Sequence, residues 1–153
     1  MKTFSAAIFV FLVFGFLSGG KAALGQQPSK AAISTERLLE EDAKHNLNVA
    51  RNAFKLKKAY KGVLMRFEET FAAFPEFSKM EEFLYYAGMS SYFLSKNQGR
   101  QKVNLSSEKE REKYAPEKLQ ADAIVYLRLM LEKNPESKFR DDAEKVLKEL
   151  DAL

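Results

Sequence analysis

Beyond residue 34 the apolar residues recur three and four positions apart with charged residues between them, and no stretch alternates in the manner of a strand. The first stripe, Leu39, Ala43, Leu47, Ala50 and Phe54, predicts a helix from residue 35 to about Lys55. Ser34 or Thr35 is placed to cap it, with Glu36, Glu40 and Glu41 near its positive end. The stripe restarts in a new register at Tyr60 and continues through Val63, Leu64, Phe67, Phe71 and Phe74. That shift predicts a turn at Lys57-Lys58 although no Gly or Pro marks it; one helix over 35–73 stays open as the alternative. Pro75 stops this segment, and Ser78 with Glu81 three residues on reads as a capping box for a third helix, which holds Phe83, Leu84, Ala87, Gly88, Ser91 and Tyr92. Small side chains at 87, 88 and 91 admit a neighbouring helix at close range. Over 96–116 the period dissolves into a segment with six bases and three acids, which reads as a disordered loop with a short helical turn from Ser107 to Lys113; its positive excess also suits lipid headgroups or an acidic partner. Pro116 suits the first turn of the next helix, about 117–133, which buries Leu119, Ala123, Ile124, Leu127, Met130 and Leu131. After Pro135, Ser137 opens a last helix with the stripe Phe139, Ala143, Val146, Leu147 and Leu150.

Two of these stretches align when offset by 60 residues: Tyr60, Val63, Phe67, Thr70, Pro75 and Phe83 fall on Gln120, Ala123, Leu127, Met130, Pro135 and Ala143. A helix, a proline stop and another helix, occurring twice, is the pattern of a helical-hairpin repeat. The fold class is all-α, with about two antiparallel hairpins and a terminal capping helix whose outer face is charged. Stacked hairpins of this kind serve mainly to bind other proteins.

The N-terminus reads as a secretory leader. Lys2 supplies the positive start, Ala6 to Leu17 form an apolar run of 12 residues broken only by Gly15, and Ala23 and Gly25 precede a plausible cut before Gln26. The run is shorter than the roughly 20 residues a spanning helix needs. The organisation expected is a leader over 1–25, a linker over 26–34 and a helical domain over 35–153 that carries the 96–116 insertion. Residues 1–25 hold two bases, Lys2 and Lys21, and no acid, so 23 bases face 21 acids beyond them and the net charge there is only +2. That balance argues against a nucleic-acid partner. The absence of cysteine removes disulfides, thiolate metal sites and any lipid-bearing cysteine, so membrane association is expected to be indirect.

The helix, turn, helix and proline layout looks like that of tetratricopeptide repeats, and residues 49–94 resemble more narrowly the outer-membrane protein assembly lipoproteins of the BamD type. Val49-Ala50, Ala59-Tyr60, Arg66-Phe67, Phe74-Pro75, Gly88 and Tyr92 fill the places of that family's pattern, and Pro135 to Ala143 repeats its proline-to-alanine spacing. The likeness extends over about residues 44–150. Arg51 stands where the family has a small residue, and the lipidated cysteine is missing. The resemblance implies a periplasmic scaffold that binds protein partners, among them components of outer-membrane assembly. An accessory subunit of another cell-envelope complex is the alternative.

Tetratricopeptide arrays take ligands on the surface lined by the first helix of each hairpin. By the register above, that surface would carry His45, Asn48, Asn52 and Lys55 from the first hairpin, and Tyr85, Met89 and Tyr92-Phe93 from the second. Asparagine amides there suit a peptide backbone or a terminal carboxylate; a merely solvated face fits the same residues. His45 is the only histidine, so no histidine-pair metal site can form, and one turn from Glu41 it fits a surface hydrogen bond. The adjacent acids Glu68-Glu69, Glu81-Glu82 and Asp141-Asp142 point about 100° apart on a helix, which suits solvation better than acid–base chemistry. No nucleophile, base and orienting group can be named together, so neither catalysis nor a cofactor is expected. Phe77, Tyr85, Tyr86 and Phe93 fit either the core between hairpins or a partner surface.

Overall fold

The computed structural model describes residues 30–104 and 106–152, which are helical with no strand among them. Helix α1 spans Lys30–Asn52 and passes directly into a π-helical turn over Ala53–Lys57. Then come α2 (Tyr60–Ala73), α3 (Met80–Ser95), a short α4 (Glu108–Lys113), α5 (Pro116–Lys133) and α6 (Arg140–Glu149). The leader expected over 1–25 lies outside the described residues. Because α1 is already helical at Lys30, Ser34 and Thr35 sit within it and not at its cap, and the expected linker is helical from Lys30 onward.

Two helices, not one, occupy 35–73. The backbone N–H groups of Lys58 and Ala59 both donate to Ala53 O, the latter at 2.9 Å, and Lys58 turns the chain in the left-handed conformation at φ 48°. Glycine normally holds this place at a helix end. The π turn widens the last coil of α1 and delivers Phe54 into the aromatic layer, 5.5 Å from Tyr60 and 5.2 Å from Tyr86 between ring centres.

Neighbouring helices run in opposite directions. Asn46 of α1 donates to Thr70 Oγ1 near the end of α2 at 3.2 Å, whereas Phe54 meets Tyr60 at its start. Phe67 packs on Phe83 at 5.6 Å while Tyr60 stacks on Phe93 at 5.2 Å, which reverses α3 against α2. Glu81 at the start of α3 bonds Asn134 just beyond the end of α5 at 3.1 Å. Helices α3 and α5 approach closely at Gly88, where a Cβ would lie 2.7 Å from Leu127 Cγ. Phe67, Phe83, Leu84, Tyr86, Leu127 and Met130 are fully buried around this seam, and each contributes about 1.5–3 kcal/mol by leaving water. Phe77, Tyr85 and Tyr86 belong to that core and not to a surface, and Phe93 packs against it. Phe71 is the exception on the α2 stripe: it stacks on Phe67 at 5.3 Å from outside and stays exposed.

The 60-residue offset is built into the backbone. Phe74 N donates to Thr70 O at 2.8 Å, and Asn134 N to Met130 O at 3.1 Å. Met80 N to Phe77 O matches Arg140 N to Ser137 O, both at 3.0 Å, and Phe83 N to Lys79 O matches Ala143 N to Phe139 O at 3.2 and 3.0 Å. Val63 and Ala123, Phe67 and Leu127, and Phe83 and Ala143 are buried alike. The capping box at Ser78 does not form. Ser78 Oγ bonds Glu40 of α1 instead, and Glu81 accepts from Ser137 and Asn134 beyond α5. Both residues join separate helices because a bond between elements satisfies the same groups while also holding the stack together.

The described residues of the 96–116 segment are folded down onto α2, where a disordered loop is expected. Arg100 N donates to Lys58 O at 3.0 Å, Lys61 Nζ donates to Lys102 O at 2.7 Å and pairs with Glu110 at 2.6 Å, and Lys113 pairs with Glu68 at 2.7 Å. Gly99, at φ 91°, lies against Tyr60, where any side chain would meet the ring at 2.6 Å. The helical turn expected from Ser107 forms as α4, with the Ser107 hydroxyl accepting from Glu110 N at 3.4 Å.

Candidate partner-binding site

The outer side of α1 is built from positions 38, 45, 49 and 52, whose spacings of seven, four and three keep them on one helical face. The opposite stripe, Ala43, Leu47 and Ala50, is fully buried, so this face is turned to solvent by the core itself. Leu38 is 64 % exposed and Val49 37 %, large values for apolar side chains flanked by polar ones. His45, Asn48, Asn52 and Lys55 are all exposed along it, as the register predicts.

The histidine and one asparagine differ from expectation in their bonding. Glu41, the anticipated partner of His45, bonds Lys44 at 3.1 Å. Asn48 Oδ1 accepts from Arg51 at 2.8 Å. Arg51 in turn donates through Nε and Nη2 to one carboxylate oxygen of Glu82 in α3, at 3.0 and 2.8 Å. The arginine therefore ties α1 to α3 and orients Asn48 on the edge of the face.

Tyr85 and Met89 are not part of this surface. Tyr85 is 7 % exposed; its ring stacks on Phe139 at 4.1 Å and its hydroxyl donates to Asp142 at 3.0 Å. Burial first, and then the bond to Asp142, raises its pKa far above the ordinary phenol value. Met89 is 8 % exposed, at the floor of a cleft of about 200 Å³ whose other side is Asp142, Lys145, Val146 and Glu149 of α6. Helix α6 lies over the part of α3 that the hairpin register leaves open, and this removes both residues from solvent. Tyr92 is buried too; it donates to Glu149 at 2.5 Å, and Lys96 closes the group by donating to Tyr92 Oη at 2.8 Å. Lys96 and Tyr92 hold the Glu149 carboxyl below its usual range.

A hollow of about 430 Å³ lies where the start of α3 meets the α5–α6 turn, among Lys79, Glu81, Glu82, Asn134, Lys138 and Phe139. Sequence reasoning missed it because Glu81 and Ser137 were both read as local caps. Its carboxylates are already engaged, Glu81 by Asn134 and Ser137 and Glu82 by Arg51. Elsewhere Glu68 pairs with Lys113 and Glu69 with Arg66. In these two pairs the adjacent acids serve different partners. Among the described residues no group of three or more His, Asp or Glu is gathered to hold a metal ion, and no helix is long and apolar enough to cross a membrane.

Comparison with protein-family models, with curated proteins and with solved structures returned no match.

Proposed function

We propose that this chain is an exported scaffold of antiparallel hairpins of tetratricopeptide type, whose outer α1 face captures a protein partner in outer-membrane protein assembly. The observation that carries the reading is the shared backbone bonding of the two proline turns, sixty residues apart, stacked behind a helix that keeps apolar Leu38 and Val49 in water beside His45 and Asn52. Repeated hairpins without a gathered set of reactive groups favour recognition over catalysis. The family pattern at Val49-Ala50, Ala59-Tyr60, Arg66-Phe67 and Phe74-Pro75 supplies the assembly role.

The test has two arms. Replacing Asn48 and Asn52 by alanine, together with Val49→Ser, is expected to weaken crosslinked capture of the partner at least tenfold and leave the melting temperature nearly unchanged. Unaltered capture would remove the α1 face from the proposal. Depletion of the chain is expected to lower the level of outer-membrane barrels. Unchanged barrels with retained capture would instead favour an accessory subunit of another envelope complex.

A further inference from the structure

The end of the stack where α1 turns into α2 carries a charge pattern that the scaffold reading does not use. Residues 55–61 and 96–102 together hold seven bases and no acid. The fold brings the two segments side by side: Arg100 N bonds Lys58 O at 3.0 Å, Gly62 N bonds Gln101 Oε1 at 3.1 Å and Lys61 Nζ bonds Lys102 O at 2.7 Å. Lys61 and Lys96 are neutralised by Glu110 and Glu149. Among the described residues, no carboxylate pairs with Lys55, Lys57, Lys58, Arg100 or Lys102, and all five are exposed. At the centre of the patch, on the π turn, stands Leu56. It is 77 % exposed, the highest value of any large apolar side chain described.

We propose that this end of the molecule is a docking surface for an anionic lipid bilayer, with the five bases that no carboxylate neutralises over the headgroups and Leu56 inserted between them. Charge complementarity selects a polyanionic partner, because basic side chains near an anionic lipid surface each strengthen association roughly fivefold. The leucine selects lipid among polyanions. A nucleic-acid backbone or a polyacidic peptide offers nothing to an isolated aliphatic tip, whereas the headgroup boundary takes it out of water. The patch also lacks an exposed aromatic ring on which a base could stack. The π turn carries Leu56 and the left-handed Lys58 two residues on reverses the chain, so the side chain projects from a hydrogen-bonded corner. This inference shares only Lys55 with the partner-binding reading, which otherwise uses the outer side of α1.

The experiment is co-sedimentation of the full chain with vesicles of phosphatidylcholine alone and with about one third phosphatidylglycerol, comparing it with two full-length variants. One carries Lys55→Gln, Lys57→Gln, Lys58→Gln and Arg100→Gln, and the other Leu56→Ser; keeping residues 1–29 in all three cancels any contribution of the apolar N-terminus. Anionic vesicles are expected to bind the parent chain most, the charge variant at least tenfold more weakly, and L56S several-fold more weakly, all with unchanged helical circular dichroism. Equal binding of parent and charge variant would overturn the proposal, as would equal binding to both vesicle types by the parent. Polyglutamate serves as the second probe. If it binds the parent as tightly as anionic vesicles do, and L56S behaves as the parent on both, the surface is an acidic-protein site and the lipid assignment fails.

Discussion

Gly88 of α3 faces Leu127 of α5 at a separation that leaves no room for a methyl group: a Cβ on residue 88 would lie 2.7 Å from both Cγ and Cδ2. Leu127 is fully buried and cannot swing away, and its backbone nitrogen is 3.4 Å from the same point. The contact lies in the seam between α3 and α5, and it sits where the small-residue cluster in the sequence predicts a close approach. Gly88→Ala is expected to destabilise the fold by about 1–3 kcal/mol through overpacking, despite alanine's better helix propensity. A denaturant midpoint equal to or above the parent's would contradict that packing.

Ser90 and Ser91 on the same helix are fully buried, and neither hydroxyl has a hydrogen-bond partner among the described residues. A buried hydroxyl left unpaired opposes folding, and serine is a poorer helix former than alanine. Ser90→Ala and Ser91→Ala are each expected to raise stability by about 0.5–1 kcal/mol, measured by thermal or urea unfolding.

The left-handed Lys58 is a second place where the sequence works against the fold. A side chain in that conformation costs about 1–2 kcal/mol, part of which glycine gives back through its larger unfolded-state entropy. Lys58→Gly is expected to be more stable by about 0.5–1 kcal/mol, with the helical content unchanged. Loss of stability would mean that the lysine side chain contributes more to the turn than its exposed position suggests.

Arg51 and Glu82 bridge α1 and α3 with two charge-assisted bonds, but both remain partly in water, with side chains 32 % and 16 % exposed. Screening therefore limits the coupling in a double-mutant cycle of Arg51→Ala and Glu82→Ala to about 0.5–1 kcal/mol, falling with added salt. A salt-independent coupling would indicate a drier pair than the geometry implies.

Alkaline pH probes the tyrosines. Desolvation, with smaller contributions from Asp122 and Glu68, pushes Tyr126 up to about 12, and burial with the Asp142 bond raises Tyr85 further. A phenol whose folded pKa exceeds its unfolded value near 10 stabilises the fold fully below that value, and this contribution is lost as pH rises through the folded pKa. Stability is thus expected to be flat below about pH 10 in this respect and to decline above it. Phenolate absorbance should show Tyr126 titrating above the exposed-tyrosine range, and titration of every tyrosine near 10 in the folded chain would refute the burial of Tyr85 and the partial burial of Tyr126.

How much of this was legible beforehand depended on how many neighbours each helix has. The α1 stripe of Ala43, Leu47 and Ala50 faces inward because core lies on that side only, so period alone sorts His45 and Asn52 to the outside. Helix α3 is packed by α1, α2, α5 and α6, so its polar and apolar positions are buried together and the period carries no direction. That is why Tyr85 and Met89 were assigned to a surface that α6 covers. Pro75 and Pro135 marked the turns correctly, since a missing donor acts locally. Ser78, Glu81 and Ser137 bond to distant helices, and no local rule anticipates Glu40 at the far end of such a bond. The 96–116 segment looked disordered because it is polar throughout; its order comes from Lys61 and Glu68 on α2, two ordinary surface residues in the sequence.

That segment leaves α3, crosses to α2 and returns to begin α5, pinned by Arg100, Lys102, Glu110 and Lys113 as it goes. Simple linear stacks fray from either end, one unit at a time, because each unit touches only the next. Here a lace drawn from between α3 and α5 over α2 denies the leading helices that freedom, so the described helices should melt in one sharp step.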